Sequence, residues 1–392
     1  MIKKTSEIKP SKQQLQGLLE CYKEGRYQET EELALFLSSQ FPNHNFSWNI
    51  LSLVLKKTGR ISEAVIAGKR AIEINPKDTK ALYNLGNTLK DLGRFDEAEI
   101  NYIKAISLDP NYSEAQGNLA LTLHELGRLE EAEVSYKQAI KLNPDYVGNH
   151  INLAMILYEL GKLEEAEEGF KKAIKLKPDY ALAHSNLADT LQELGKLEEA
   201  EASYTQAIKL NPEFAEAHNN FGIALKKLGK LEEAELSHAQ AIKLNPEQAE
   251  FHNNLGAIFQ ELGKLEEAER SYKQAIKIDP ELANAYNNLG IVLKGLDRLE
   301  EAEVSYTQAI KLNPEFALAH SNLAITLKEL GRLDEAELNC RKAIIIKPNF
   351  KDFYISLGQI LLIKGQHRDG IKAKKLGEGY ISFNLASGLS IQ

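Results

Sequence analysis

Residues able to do chemistry recur in this 392-residue chain at one fixed interval. His150, His184, His218, His252 and His320 are separated by 34 residues or a multiple of 34. Imidazoles at regular spacing raise the question of a metal ladder. Two imidazoles on one zinc must each bring a nitrogen to ~2.0–2.1 Å from the ion. Equivalent residues on stacked helices stand ~8–10 Å apart, so these histidines do not share an ion and no metal site is expected. Trp48, Leu82 and Tyr286 take the same place in their repeats, which marks a half-buried packing position. Paired carboxylates such as Glu198 and Glu199 also recur, at the starts of helical segments, where negative charge complements the helix dipole. They read as solvated charge rather than an acid–base pair. The chain has no glycine-rich phosphate loop and no GxGxxG, HExxH, CxxC or GxSxG motif. No catalytic residue and no cofactor is expected, and the chain reads as a non-enzyme.

One further column remains. Asn84, Asn118, Asn152, Asn186, Asn220, Asn254, Asn288 and Asn322 hold the same place in eight successive repeats. Asparagine is a poor residue inside a helix, because its amide competes with the backbone. Its persistence needs a cause. The amide offers donors and an acceptor, the complement of a peptide group. Two readings follow: each amide bridges neighbouring repeats as an internal brace, or the column contacts the main chain of an extended polypeptide. The second makes these eight residues the expected peptide-binding site. Ser185, Asp189, Asn219, Asn253 and Gln260, set around them, are then expected to supply specificity.

The elements that carry these columns are legible from punctuation. Ten of the eleven prolines, from Pro42 to Pro348, lie 34 residues apart. A fixed period of this length marks a helix–turn–helix solenoid. Each unit reads as two helices. In the unit 181–214 the first spans about 182–194 and ends at Gly195, a residue able to take the left-handed conformation that closes a helix. The second spans about 197–210 and is stopped by Pro212. In the preceding unit Glu167–Lys171 and Glu168–Lys172 are spaced for i,i+4 pairs. Small residues recur where helices cross: Gly or Ala at 86, 120, 154, 188, 222, 256, 290 and 324, and Ala at 98, 132, 166, 200, 234, 268, 302 and 336. A mostly aromatic column, with Tyr102, Tyr136, Phe170, Tyr204, Tyr272 and Tyr306, reads as core. Asp297 replaces the turn glycine in one unit, and the turn is expected to survive, since aspartate tolerates the left-handed region.

Composition limits the partners. Net charge is −8, and Lys and Arg are spread along the repeats rather than gathered in a stripe, so nucleic acid is not an expected partner. No apolar run reaches the ~18 residues of a membrane span. No secretory signal is visible at the N-terminus, and two distant cysteines, Cys21 and Cys340, read as free thiols of a reducing compartment. A cytoplasmic location is the expectation; nothing sets an oligomeric state.

The small residues, turn glycine and proline together resemble the tetratricopeptide repeat (TPR) family, strongly over 45–365 and weakly over 11–44. The resemblance implies an all-α fold: a right-handed solenoid, or superhelix, of tandem 34-residue units with the first helix of each lining the concave face. The asparagine column is similar to that in the TPR superhelix of the O-linked N-acetylglucosamine transferases, where it implies contacts to an extended polypeptide. The carboxylate clamp of chaperone-binding TPR domains also uses asparagine, but with basic neighbours; Glu114, Glu216 and Glu250 stand nearby here. The expected organisation is a flexible lead-in at 1–10, a degenerate repeat at 11–44, nine units over 45–350, a degenerate repeat and capping helix at 351–376, and a short β-like, hairpin tail at 377–392. The expected function is a non-catalytic protein-interaction scaffold that holds an extended peptide segment of a protein partner. The alternatives are the substrate-recruiting arm of a glycosyltransferase-like or other modifying enzyme whose catalytic domain lies elsewhere, and a spacer with no groove ligand.

Overall fold

The computed structural model describes residues 9–378 and the strand segments Ile381–Asn384 and Gly388–Ile391. Of the expected lead-in, residues 1–8 lie outside the described residues, as do 379–380, 385–387 and 392 of the tail. The protein is an all-α solenoid with 22 helices among the described residues, and it divides into two compact units, Met1–Lys196 and Leu197–Gln392. The first unit holds α1 (Lys12–Lys23), α2 (Tyr27–Gln40), α3 (Asn45–Lys57), α4 (Ile61–Ile74), α5 (Thr79–Asp91), α6 (Phe95–Leu108), α7 (Ser113–Glu125), α8 (Leu129–Leu142), α9 (Val147–Glu159), α10 (Leu163–Leu176) and α11 (Ala181–Glu193). The second holds α12 (Leu197–Leu210), α13 (Ala215–Lys227), α14 (Leu231–Leu244), α15 (Ala249–Glu261), α16 (Leu265–Ile278), α17 (Ala283–Gly295), α18 (Leu299–Leu312), α19 (Ala317–Glu329), α20 (Leu333–Ile346), α21 (Lys351–Ile363) and α22 (His367–Glu378). After α22, β1 (Ile381–Asn384) pairs antiparallel with β2 (Gly388–Ile391), with Ile381 opposite Ile391.

Local chemistry sets the helix ends. At the end of α15, Gly263 takes φ +74°. Its N–H donates to Gln260 O at 3.1 Å, and the next N–H, of Lys264, reaches back to Phe259 O at 2.8 Å. This pair of bonds satisfies carbonyls that the helix leaves open. Asp297 builds the same turn with φ +60°, its N–H on Lys294 O at 3.0 Å and that of Arg298 on Leu293 O at 2.9 Å, so the turn survives the substitution. The even-numbered helices from α2 to α20 end before proline, which forces the preceding residue out of the helical region. Asn313, at φ −133° and ψ 93°, also accepts from Glu315 N–H at 3.1 Å.

The histidine column now has a use. His150 Nε2 donates to Pro144 O at 2.7 Å, His184 to Pro178 O at 3.0 Å and His320 to Pro314 O at 3.2 Å. His218 and His252 do the same with Pro212 and Pro246, and the indole of Trp48 reaches Pro42 O at 3.1 Å. The ring nitrogen closes the turn between successive helix pairs.

Packing follows the small-residue columns. A Cβ added at Gly256 would lie 2.8 Å from the Tyr272 ring, and one at Gly290 2.6 Å from that of Tyr306. The tyrosines are fully buried, so the helices approach at the width of a ring lying on bare backbone. His238 takes the aromatic place against Gly222, where an added Cβ would meet its ring at 2.6 Å. In the last pair the approach is closer still. A Cβ at Gly370 would lie 3.0 Å from Gly358 O, and one at Gly377 2.7 Å from Lys351 O.

A charge ladder links the even-numbered helices. At eight of them the Arg or Lys that precedes the helix pairs with a glutamate 29 residues earlier. Examples are Arg128–Glu99 at 2.8 Å, Lys162–Glu133 at 2.7 Å and Lys196–Glu167 at 2.7 Å in the first unit, and Arg298–Glu269 at 2.8 Å in the second. Glu167 is 6% exposed and also holds Lys171 at 2.6 Å. The hydrogen bonds from Lys171 and Lys196 keep its carboxyl below the ordinary range despite burial. The Glu168–Lys172 pair expected beside it is not formed among the described residues; Glu168 is exposed.

Candidate functional site

All eight asparagines of the column are half-buried on the odd-numbered helices. Their partners divide them. Asn84 Nδ2 donates to Asn49 Oδ1 at 3.2 Å, Asn254 to Asn219 at 3.1 Å, Asn288 to Asn253 at 3.2 Å and Asn322 to Asn287 at 3.0 Å. The spacing is 35 residues, so each amide reaches the preceding pair one residue short of its own equivalent. Asn118 meets Tyr83 Oη in the same way, at 3.0 Å, and Asn87 Oδ1 at 2.8 Å. Asn220 Oδ1 accepts from Asn219 Nδ2 at 3.2 Å.

Asn152 and Asn186 differ. The acceptor positions 35 residues before them are Gly117 and Ile151, neither of which has a side-chain acceptor. Burial raises the pKa of the Tyr136 hydroxyl on α8 of the preceding pair, and the Asn152 amide, which faces it, opposes that rise, although the two are not in hydrogen-bond geometry. The Asn186 side chain makes no hydrogen bond among the described residues, although its backbone carbonyl accepts from Thr190 at 2.8 Å.

Both open amides line hollows in the first unit. Asn152, with Asn118, Asn149, Tyr83, Tyr146 and Glu114, lines a cleft of about 300 Å3 across α5, α7 and α9. Gly117 floors it; a Cβ there would stand 2.8 Å from Asn149 Oδ1. A glycine inside a helix costs roughly 1 kcal/mol relative to alanine, and here it opens the space that a side chain fills in other repeats. Asn186 lines a second hollow of about 140 Å3 with Met155, Tyr158, Glu159, Phe170 and Asp189.

Of the residues expected to tune specificity, Asp189 lines a hollow. Asn219 and Asn253 do not stand free, because each is the acceptor of a brace. Gln260 accepts from the Tyr272 hydroxyl at 3.2 Å. The acceptor column one residue before the asparagines was the missed signal: it reads Asn49, Tyr83, Gly117, Ile151, Ser185, Asn219, Asn253, Asn287, and its two gaps mark the open amides.

No group of three or more metal-ligating side chains is assembled among the described residues. The thiols Cys21 and Cys340 are free and buried, and burial pushes that of Cys340 up to about 12. No helix among the described residues is long and apolar enough to cross a membrane.

Comparison with known proteins agrees with this anatomy. Residues 147–343, half of the chain, match the family described as the cilia and flagella-associated protein 70 C-terminal domain. Residues 47–78 and 78–145 match tetratricopeptide repeat families. Among solved structures the chain is similar to YrrB, described as a TPR protein with an unusual peptide-binding site, with 25% identity over 47% of this chain and 95% of that one and a TM-score of 0.41. It is also similar to MamA, with 27% identity over 40% of this chain and 92% of that one and a TM-score of 0.38. No curated protein matches it. From residue 47 to residue 343 the repeats are accounted for by these families, and the chain belongs to the tetratricopeptide repeat proteins.

Proposed function

We propose that the protein is a non-catalytic interaction scaffold that holds an extended segment of a protein partner along the odd-numbered helices of its first unit. One observation carries this reading: at Asn152 and Asn186 the column finds no side-chain acceptor 35 residues back, and both amides line hollows. A peptide group offers the N–H and C=O that such an amide complements. Adjacent helix pairs stand ~8–10 Å apart and an extended chain advances ~3.3 Å per residue, so one pair is crossed by roughly three residues. The other asparagines stay in the proposed site as framework. Their braces tie together α3, α5 and α7 in the first unit and α13, α15, α17 and α19 in the second.

The test is peptide display selected on the full chain, followed by calorimetry on synthetic copies. Asn152→Ala with Asn186→Ala should leave the melting temperature near that of the parent, because no brace is removed and alanine is the better helix former, and should weaken peptide binding at least 10-fold. Asn288→Ala with Asn322→Ala should lower stability by about 1–3 kcal/mol and leave binding unchanged. Peptides that bind the first variant as tightly as the parent would overturn the reading.

A further inference from the structure

The cleft beside Asn152 lacks a group that the preceding repeat has. There Asn87 Oδ1 accepts from two neighbours, the Tyr102 hydroxyl at 2.7 Å and Asn118 Nδ2 at 2.8 Å. One repeat on, Tyr136 and Asn152 take the places of Tyr102 and Asn118, and Leu121 takes that of Asn87. The Tyr136 hydroxyl is buried and left without a hydrogen bond among the described residues. Asn152 has Leu121 at the 31-residue offset that Asn118 uses and Gly117 at the 35-residue offset, so it finds an acceptor at neither. Other repeats also have an apolar residue at the shorter offset, at Leu53, Ile223, Ala257 and Ile291. In each of those the asparagine is braced at the longer one, on Asn49, Asn219, Asn253 or Asn287. Asn186 has Ile151 and Met155 at the two offsets, but the aromatic of that repeat is Phe170, which has no hydroxyl to strand.

A further amide is stranded in the same cleft. Asn149 is 4% exposed, lines the cleft and makes no side-chain hydrogen bond among the described residues. Its column is mostly alanine, as at Ala115 and Ala183, and holds no other amide. The space its oxygen enters exists because Gly117 is the one glycine of its own column. A buried amide without partners is costly, and a ligand that pairs with it removes that cost. The groups on offer define the ligand. Asn118 gives its N–H2 to Tyr83 and Asn87 at 3.0 and 2.8 Å and keeps its oxygen; Asn149 adds a second oxygen, and Asn152 adds an unpaired N–H2. The one charged side chain lining the cleft is Glu114, exposed at its rim, which accepts from the Ser113 hydroxyl at 3.1 Å. A carboxylate would meet its repulsion and find no base. An ammonium or guanidinium has donors alone and would leave the Asn152 N–H2 unpaired, whereas a carboxamide has both donors and an acceptor.

We propose that this cleft is a subsite for a carboxamide side chain, glutamine or asparagine, of the bound segment. Its C=O accepts from Asn152 in place of the missing Asn87-type oxygen, and its N–H2 donates to the oxygens of Asn118 and Asn149. A main chain lying over the half-buried Asn152 stays above Asn149; a side chain reaches down to it. The proposal deepens the scaffold reading and rests on it for the source of the side chain.

The test needs no knowledge of the partner. The full chain is labelled with 15N on asparagine alone, and the side-chain N–H2 resonances of Asn149 and Asn152 are assigned from Asn149→Ala and Asn152→Ala. It is titrated with N-acetyl-glutamine methylamide, with the glutamate analogue as a charged isostere and the norleucine analogue as an apolar control. The glutamine probe should shift both resonances saturably in the millimolar range, and the two controls should bind about 10-fold more weakly or not at all. Asn149→Ala, which installs the residue usual in that column and breaks no hydrogen bond, should keep the melting temperature of the parent. It should weaken the glutamine response at Asn152 about 10-fold. Leu121→Asn, which copies Asn87, should give Asn152 its acceptor within the chain, raise the melting temperature and weaken the response to a similar degree. If Leu121→Asn does not melt cooperatively, Asn149→Ala decides alone. No response to glutamine, an equal response to either control, or full glutamine binding by a folded variant would overturn the subsite. A single-residue probe that fails leaves the display experiment on Asn152 and Asn186 intact, so the two readings fail separately.

Discussion

Gly117→Asn sets stability against binding at one position. Asn49, Asn219, Asn253 and Asn287 each accept the amide of the next pair, and an asparagine at 117 would offer Asn152 the same acceptor. Replacing an interior helix glycine by asparagine recovers a few tenths of a kcal/mol in propensity, and the restored hydrogen bond adds ~0.5–1.5 kcal/mol net. Against this, the new Cβ would lie 2.8 Å from Asn149 Oδ1, so the Asn149 side chain must turn aside. That atom is the far end of a short flexible chain, and the turn costs less than the bond returns. The sum is a gain of about 1 kcal/mol, worth ~2–4 °C in melting temperature for a body of this size. The same side chain fills the floor of the cleft and engages Asn152, so affinity for display-selected peptides should fall at least 10-fold. Differential scanning calorimetry and titration calorimetry on the one variant read both effects. A variant that is stabilised and still binds fully would remove the cleft from the site. A loss of more than ~1 kcal/mol would show that the 117–152 geometry does not reproduce the brace.

The other predictions concern the scaffold. His238 is buried and its pKa is lowered to about 4, chiefly by desolvation with a further contribution from Lys226. The folded state then holds the neutral ring while the unfolded chain takes up a proton near pH 6.5, so stability is fully present above that pH and is lost as pH falls toward 4, by up to about 3 kcal/mol at ~1.4 kcal/mol per pKa unit. His238→Tyr, which copies Tyr272 on Gly256, should flatten stability between pH 6.5 and 4 in urea titrations; an unchanged slope would place the proton uptake elsewhere. Ala268→Phe at a fully buried crossing should cost about 1–3 kcal/mol by overpacking, and a neutral effect in the same titration would mean that the helices there have room to move apart.

The sequence by itself determined what depends on short stretches of chain. The prolines, the turn glycines and the small residues act within one helix pair through dihedral limits and side-chain volume, so the period, the helix bounds and the aromatic core were readable. Asp297 was readable for the same reason, since its φ of +60° is a property of one residue. What only the tertiary structure decided are contacts whose partners sit on different pairs. A brace at 35 residues and an ion pair at 29 are offsets from the 34-residue period. Their values come from how one pair is displaced and turned on the next, which no local preference encodes. The asparagine column therefore looked uniform in sequence, and stacking divided it into amides that hold the repeats together and two, Asn152 and Asn186, left open because Gly117 and Ile151 have no acceptor to offer.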